Sequence, residues 1–427
     1  MTEPVPGLER PAWRVLLARL AVDVGPLREF PAFRRLWIGQ SISFVGGELT
    51  FVAMPFQVYQ LTHSTLALGL FSLTQLIPLL TLTLVGGAIA DAFDRRALLL
   101  GTEAAEALAV GGLAVNAALP HPSVTVLFVL ATVAASCFSL GVGGMRSLTA
   151  RLVPDESLAA ASALNSVYSA FGSVLGPALA GLLIKFAGLT GAYTIDAISF
   201  VASLVALYGL PRIPPLRDAD SPTLRSVLDG FRFLRRQKVI LGFFLVDTNA
   251  MIFGMPIALF PAVADHRFGD PTLVGYLYSA PAAGAFLATI TAGWIPHIGR
   301  QGLAVVLAAS AWGAAIVAFG LATSLWLALL LLALAGAADQ ISAIFRSTMM
   351  LRLTPDHLRG RLAGIEFAQV AAAPSLGNLE AGVVASLTSL RFSIVSGGAL
   401  CIVGTLATAA AFPALLRYSA RSRAAHA

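Results

Sequence analysis

Glu48 interrupts a run of small and apolar residues, Ser43-Phe-Val-Gly-Gly-Glu48-Leu-Thr-Phe-Val-Ala-Met54. Two aspartates do the same further on, Asp247 after Phe243-Phe-Leu-Val and Asp339 after Leu334-Ala-Gly-Ala-Ala. An ionisable group in such surroundings is costly, so each marks a site that binds a proton or a cation, or one held by a structural partner such as Arg146 or Arg346. Glu103 and Glu106, three apart on one helical face, are expected to pair with Arg95, Arg96 or Arg151. No His or Cys cluster with metal-ligand spacing and no Ser-His-Asp set stands out, so neither a metal, a cofactor nor a catalytic residue is expected.

The elements that position these residues must lie in a membrane. Hydrophobic residues make up 57% of the chain and charged ones 12%, with a mean hydropathy of +0.82, whereas a soluble domain carries about 25% charge. Runs of roughly 20 apolar residues, the length that crosses a bilayer as a helix, number twelve. They fall near 36–61, 65–90, 97–118, 123–146, 158–186, 189–210, 239–264, 272–297, 301–321, 325–350, 358–385 and 391–416. Glu48 lies about 12 residues into the first, or ~18 Å along the helix, near the midplane.

Cytoplasmic connections carry an excess of Lys and Arg. With both termini cytoplasmic, all but Lys185, Arg267 and Arg391 of the 28 basic residues fall inside. The formal charge of +6 is therefore a topology signal and excludes a nucleic-acid partner. The partners expected are the bilayer, protons and a small molecule, with the chain a monomer.

The sequence also repeats itself. Arg146-Ser147 returns as Arg346-Ser347, Arg151-Leu-Val-Pro-Asp155 as Arg352-Leu-Thr-Pro-Asp356, and Ala180-Gly181 as Ala381-Gly382, at offsets of 200 or 201 positions. Duplicated halves in a membrane protein point to a transporter. The organisation expected is an N-terminal segment over 1–32, a six-helix bundle over 33–210, a linker over 211–238, a second bundle over 239–416 and a tail over 417–427, with 1–32, the linker and the tail cytoplasmic. The linker combines a proline-rich stretch with a basic amphipathic segment, Leu224 to Lys238, whose Phe231, Phe233 and Leu234 are expected to face lipid.

Two motifs carry a resemblance. Gly87-Ala-Ile-Ala-Asp91-Ala-Phe-Asp94-Arg95-Arg96 joins the second and third spans, and Gly172-Ser-Val-Leu-Gly176-Pro177-Ala-Leu-Ala-Gly181 lies in the fifth. The first resembles the loop signature of the major facilitator superfamily, with Ala92 where a basic residue is usual. The resemblance implies an all-α membrane protein of twelve transmembrane helices in two pseudo-symmetric six-helix bundles. It also implies that Gly87, Asp91, Asp94, Arg95 and Arg96 latch the cytoplasmic side. Arg146 and Arg346, at matching inner ends of the fourth and tenth spans, are expected to anchor or gate that side. The second motif is similar to the antiporter motif of the superfamily, which implies proton-driven export through Gly172, Gly176, Pro177 and Gly181.

A likeness over nearly the whole chain, including Pro31-Ala-Phe-Arg34, Leu61-Thr-His-Ser-Thr65, Phe260-Pro-Ala-Val-Ala-Asp265 and Gly275-Tyr-Leu-Tyr-Ser-Ala280, resembles the enterobactin exporter branch. It implies a proton-coupled antiporter of a siderophore such as enterobactin, or of amphipathic drugs, in the bacterial inner membrane. An importer or uniporter of the same fold is the alternative. A membrane-embedded prenyl-transfer enzyme, read from Asp91-Ala-Phe-Asp94, is more remote because no second acidic cluster accompanies it. An ATP-driven pump is disfavoured, since Lys185 and Lys238 are the only lysines and neither lies in a glycine-rich loop.

Overall fold

The computed structural model describes residues 23–92, 94–211 and 224–419, with the side chains of 84–92, 146–147, 224–229 and 296 outside that description. Most of 1–32, the linker residues 212–223 and the end of the tail therefore lie outside the described residues. So do the side chains of Gly87, Asp91 and Arg146.

Among the described residues, ten helices are long and apolar enough to cross a membrane. One is double: the helix from Leu158 to Tyr208 turns back at Gly188, whose φ of 69° is a conformation that favours glycine. Its first arm, 158–187, runs alongside the opening helix, and its second arm, 189–208, returns antiparallel to it. The opening helix, Pro31–Thr62, falls outside the apolar set because Gln40, Ser41, Ser43 and Glu48 dilute it, yet it packs between both arms. The described chain thus makes twelve crossings.

In the first half these are α1 (Pro31–Thr62), α2 (Thr65–Ala92), α3 (Arg95–Ala118), α4 (Val124–Leu152) and the two-armed α5 (Leu158–Tyr208). After the amphipathic α6 (Leu224–Arg236) come α7 (Lys238–Phe253), α8 (Phe260–Phe268), α9 (Val274–Ile290), α10 (Gln301–Leu321), α11 (Leu325–Leu353), α12 (Asp356–Leu387) and α13 (Leu390–Ala411). Helix starts are fixed locally: Asp94, Ser123, Ser324 and Ser389 each accept a hydrogen bond from the backbone N–H three residues on, satisfying a donor the helix cannot.

The span expected over 239–264 is not one helix. It breaks between Phe253 and Phe260 because Pro256 lacks an N–H and disfavours helical backbone before it. Backbone groups freed there cannot be left bare within a bilayer. Trp312 Nε1 donates to the Gly254 carbonyl at 2.8 Å, and the Ala258 N–H donates to Asn378 Oδ1 at 3.1 Å. The lipid-facing expectation for α6 also needs correction. Phe231 is exposed, but Leu234 is buried and Phe233 packs with it against Phe243 and Phe244 of the second half, because Gly230 lets the helix settle on Arg361 and Ile365.

The halves meet along two seams, α2 against α12 and α5 against α9. At both, backbone touches backbone. A Cβ on Gly181 would lie 2.6 Å from the Thr272 carbonyl, and one on Gly275 2.3 Å from that of Pro177. At the other seam a Cβ on Gly382 would lie 2.5 Å from the Thr65 carbonyl, while Thr65 Oγ1 donates to the Gly382 carbonyl at 3.1 Å. Both seams lie toward the end opposite the chain termini, where Lys185 of α5 also meets Asp270 at 3.5 Å across the halves.

Candidate functional site: a central cavity with an acidic wall

Between the halves lies a cavity of about 1120 Å³. Its lining runs from the seams toward the terminal end, reaching Phe33 and Trp37 at the start of α1, Thr149 at the end of α4 and Ser162 at the start of α5. The first half supplies most of the wall, and the second contributes Ile257, Ala258, Tyr278 and Asn378.

Glu48 faces this space. Its seat is the glycine-proline segment of α5: a Cβ on Gly176 would lie 2.4 Å from that of Glu48, and Ser173 Oγ donates to Glu48 Oε1 at 3.4 Å. Gly172 makes the matching approach to the ring of Phe44, and Gly181 serves the seam. One stretch of α5 therefore packs on α1 at Glu48 and holds the two halves against each other. Pro177 lies inside α5 between these contacts; its missing N–H leaves the Ser173 carbonyl without that helical donor, and its own carbonyl is the one beside Gly275.

Three more carboxylates line the cavity. Glu103, 9% exposed, accepts from Gln40 Nε2 at 2.9 Å and from the hydroxyl of Ser203, so an amide and a hydroxyl hold it. These partners stand in place of the expected Arg95, Arg96 or Arg151; Arg95 itself is eight residues, or about 12 Å, away along the same helix. Glu106, one turn further, also faces the cavity. Asp196, on the second arm of α5 and 1% exposed, accepts from Ser199 Oγ at 3.2 Å and approaches α1 at Gly46. Only the reversal at Gly188 brings it there, so spacing alone gives no signal for it.

Asp247 and Asp339 are absent from the wall of this cavity. Arg346 Nη1 lies 2.7 Å from Asp247 and Nη2 lies 3.9 Å from Asp339, and Nη1 also donates to Ser342 at 2.9 Å. Gln369 Nε2 completes the shell of Asp247 at 2.8 Å. Asp339 borders a separate space of about 210 Å³ beside the Gly254–Pro256 break. At the loop between α2 and α3, Asp94 caps α3, Arg95 is buried, and Arg96 donates to the Tyr208 carbonyl at 2.6 Å while lying over the Tyr208 ring. These contacts of Asp94 and Arg96 lie within the first half. Among the described residues no His, Cys, Asp and Glu group is arranged to hold a metal ion.

A central cavity between two pseudo-symmetric helical halves, sealed at one end by glycine seams, defines a transporter of small molecules, and the chain is a multi-pass membrane protein. Residues 21–424 match the family described as transmembrane secretion effector. Over 386 residues the chain is 32% identical to the enterobactin exporter EntS of Shigella boydii serotype 18, covering 90% of this chain and 93% of that one, and equally so to EntS of Escherichia coli O81. Among solved structures it resembles the nucleoside transporter NupG, with a TM-score of 0.69 at 14% identity over 91% of this chain and 99% of that one. It also resembles a bacterial homologue of the iron transporter ferroportin, with a TM-score of 0.67 at 16% identity over 91% and 99%. The chain belongs to the transmembrane secretion effector family, within the major facilitator superfamily.

Proposed function

We propose that the protein is a proton-coupled exporter of a small amphipathic molecule, a siderophore such as enterobactin or a drug, working by alternating access in the bacterial inner membrane. Both termini face the cytoplasm, in keeping with the distribution of Lys and Arg, and the chain acts as a monomer built of bundles 33–210 and 239–416. The cavity then opens inward and the glycine seams close the outer end. The observation that carries the reading is the contact of Glu48 with Gly176 in the cavity wall: the one carboxylate near the midplane of α1 sits on the helix that also forms a seam. Proton uptake by Glu48 removes a charge at that contact and biases which end is closed. The enterobactin exporters among its relatives support the direction of transport and the substrate class.

Asp247, Asp339 and Arg346 act together as the charge pair of the second half, and Arg346 with Arg146 and the Gly87, Asp91, Asp94, Arg95 and Arg96 loop governs the cytoplasmic gate. Transport into inside-out vesicles with an imposed pH gradient tests the core of this. Wild type is expected to accumulate enterobactin or an amphipathic drug only when the lumen is acidic, and Glu48→Gln to lose at least about tenfold of that rate, equivalent to ~1.4 kcal/mol of barrier. Undiminished gradient-driven uptake by the variant removes Glu48 from coupling, and export of preloaded substrate out of such vesicles reverses the direction.

A further inference from the structure

The acidic wall is one-sided. Glu48, Glu103, Glu106 and Asp196 all belong to the first half, and among the described lining residues there is no lysine, arginine or histidine. In the second half an arginine opposes the carboxylates, since Arg346 sits between Asp247 and Asp339. In the cavity no described side chain plays that part. Among the described residues Glu106 has no hydrogen-bond or ion-pair partner, and Asp196 and Glu103 are close enough for their charges to act on it. Trp37 lines the same space, and its indole N–H is buried without a hydrogen-bond partner among the described residues. Thr50, 3% exposed, lies beside Asp196. Aromatic rings complete the wall, among them Trp37, Phe44, Phe138 and Tyr168.

A volume of this size, with excess carboxylates, ring faces and a donor lacking its acceptor, lacks a counter-ion of matching chemistry. Ring faces attract an organic cation through their quadrupoles, and a carboxylate does so more strongly in a low-dielectric wall than in water. An anion placed there has carboxylates around it and no described cation. Resting on the exporter reading above, we propose that the transported substrate is an amphipathic organic cation, a ring-bearing amine or quaternary centre with an oxygen acceptor. Its positive end sits at Glu106, Glu103 and Asp196, its rings lie on the aromatic wall, and its acceptor takes the Trp37 N–H. Protons and substrate then compete for the same carboxylates, so that loading one expels the other, which is what exchange requires.

The test uses two probes of nearly the same shape and opposite charge, tetraphenylphosphonium and tetraphenylborate, binding to the full-length protein in detergent micelles with empty micelles as reference. The phosphonium is expected to bind at least about tenfold more tightly than the borate, and its affinity to fall as pH is lowered from about 8 to about 5, toward the carboxylate range. Glu106→Gln is expected to weaken it about tenfold or more, while Glu380→Gln, a carboxylate outside the cavity wall, leaves it within about twofold. Where Glu106→Gln does not fold, Asp196→Asn takes its place, and the wild-type pH dependence needs no variant. Equal affinity for the two probes, tighter binding of the borate, or pH-independent binding of the phosphonium overturns the proposal. Vesicle transport separates it from the reading it rests on. Export of enterobactin with no binding or movement of the phosphonium overturns the cationic substrate and leaves the exporter standing, whereas movement of neither against a gradient removes the exporter as well.

Discussion

Glu48 in the first half and Asn249 in the second stand 201 residues apart, the offset that relates Gly176 to Gly377 and Gly181 to Gly382, and they have opposite surroundings. Glu48 borders the cavity, with Ser173 as its hydrogen-bond donor. Asn249 is tied inside its own half, its Nδ2 donating to the Cys401 carbonyl at 2.8 Å. The glycines differ in the same sense. Gly176 makes room for the side chain of Glu48, whereas a Cβ on Gly377 would strike the carbonyls of Ile252 and Met251 at 2.5 and 2.6 Å. In one half the small-residue plan seats an ionisable group; in the other it packs backbone. The duplicated scaffold thus carries two divisions of labour, with charge left open to the cavity in the first half and neutralised internally in the second.

Removing the internal neutralisation is the strongest way to break this contrast. Asp247→Ala leaves Arg346 without its 2.7 Å partner and facing only Asp339 at 3.9 Å and the charge of Glu366, and loss of one partner of a buried ion pair costs about 3–5 kcal/mol. A marked fall in the thermal midpoint in detergent is expected, with Glu48→Gln close to wild type in the same assay; equal falls in both would erase the distinction. The paired substitutions Gly176→Ala and Gly377→Ala sharpen it. Gly377→Ala meets backbone that cannot yield and should lose roughly 1–3 kcal/mol of stability. Gly176→Ala meets a side chain that can move, so its deficit should appear mainly in proton-driven transport. A larger stability loss at Gly176 than at Gly377 would contradict the assignment.

The smallest effect is expected at the tie between the halves. Asp270 accepts hydrogen bonds from the Thr272 N–H and hydroxyl and lies beside Lys185, which together hold its carboxyl below its usual range. Because its acidity is enhanced in the closed form, the tie contributes above the ordinary Asp range and is lost as pH falls through the lowered value. Both partners are solvent-accessible, so Lys185→Gln should shift the closed population by no more than about 1 kcal/mol. Spin-label distances across the outer ends, recorded against pH, would register the shift; a change of several kcal/mol would mean that the seams hold far less than their contacts suggest.

Much of this arrangement was legible from residue order. The repeat marked Gly181 and Gly382, and both lie at seams between halves, because equivalent small residues in duplicated helices allow equivalent close approaches. Glu48 was visible as a lone carboxylate in an apolar span, whereas 239–264 was expected as one span and the break at Pro256 was not. Asp196 was not legible as a wall residue, since its position depends on a chain reversal about one left-handed glycine. The pairing of Asp247 with Arg346, 99 residues further on, was one alternative among several because packing that no local pattern encodes brings them together, whereas Asp339 lies two turns from Arg346 on the same helix. Glu103 departs from the expected pairing with Arg95, Arg96 or Arg151 because Gln40 and Ser203, on helices that only packing brings beside it, hold it instead.

The seams have a mechanical consequence. Side chains that interdigitate must change rotamer before two surfaces part, and each change adds to the barrier. At Gly181 against Gly275, and at Gly69 against Gly382, no side chain of these glycines stands between the backbones. Two smooth rails of this kind separate by sliding or tilting without repacking the glycine contacts themselves, so the sealed end of the cavity can be tight when shut and still part quickly.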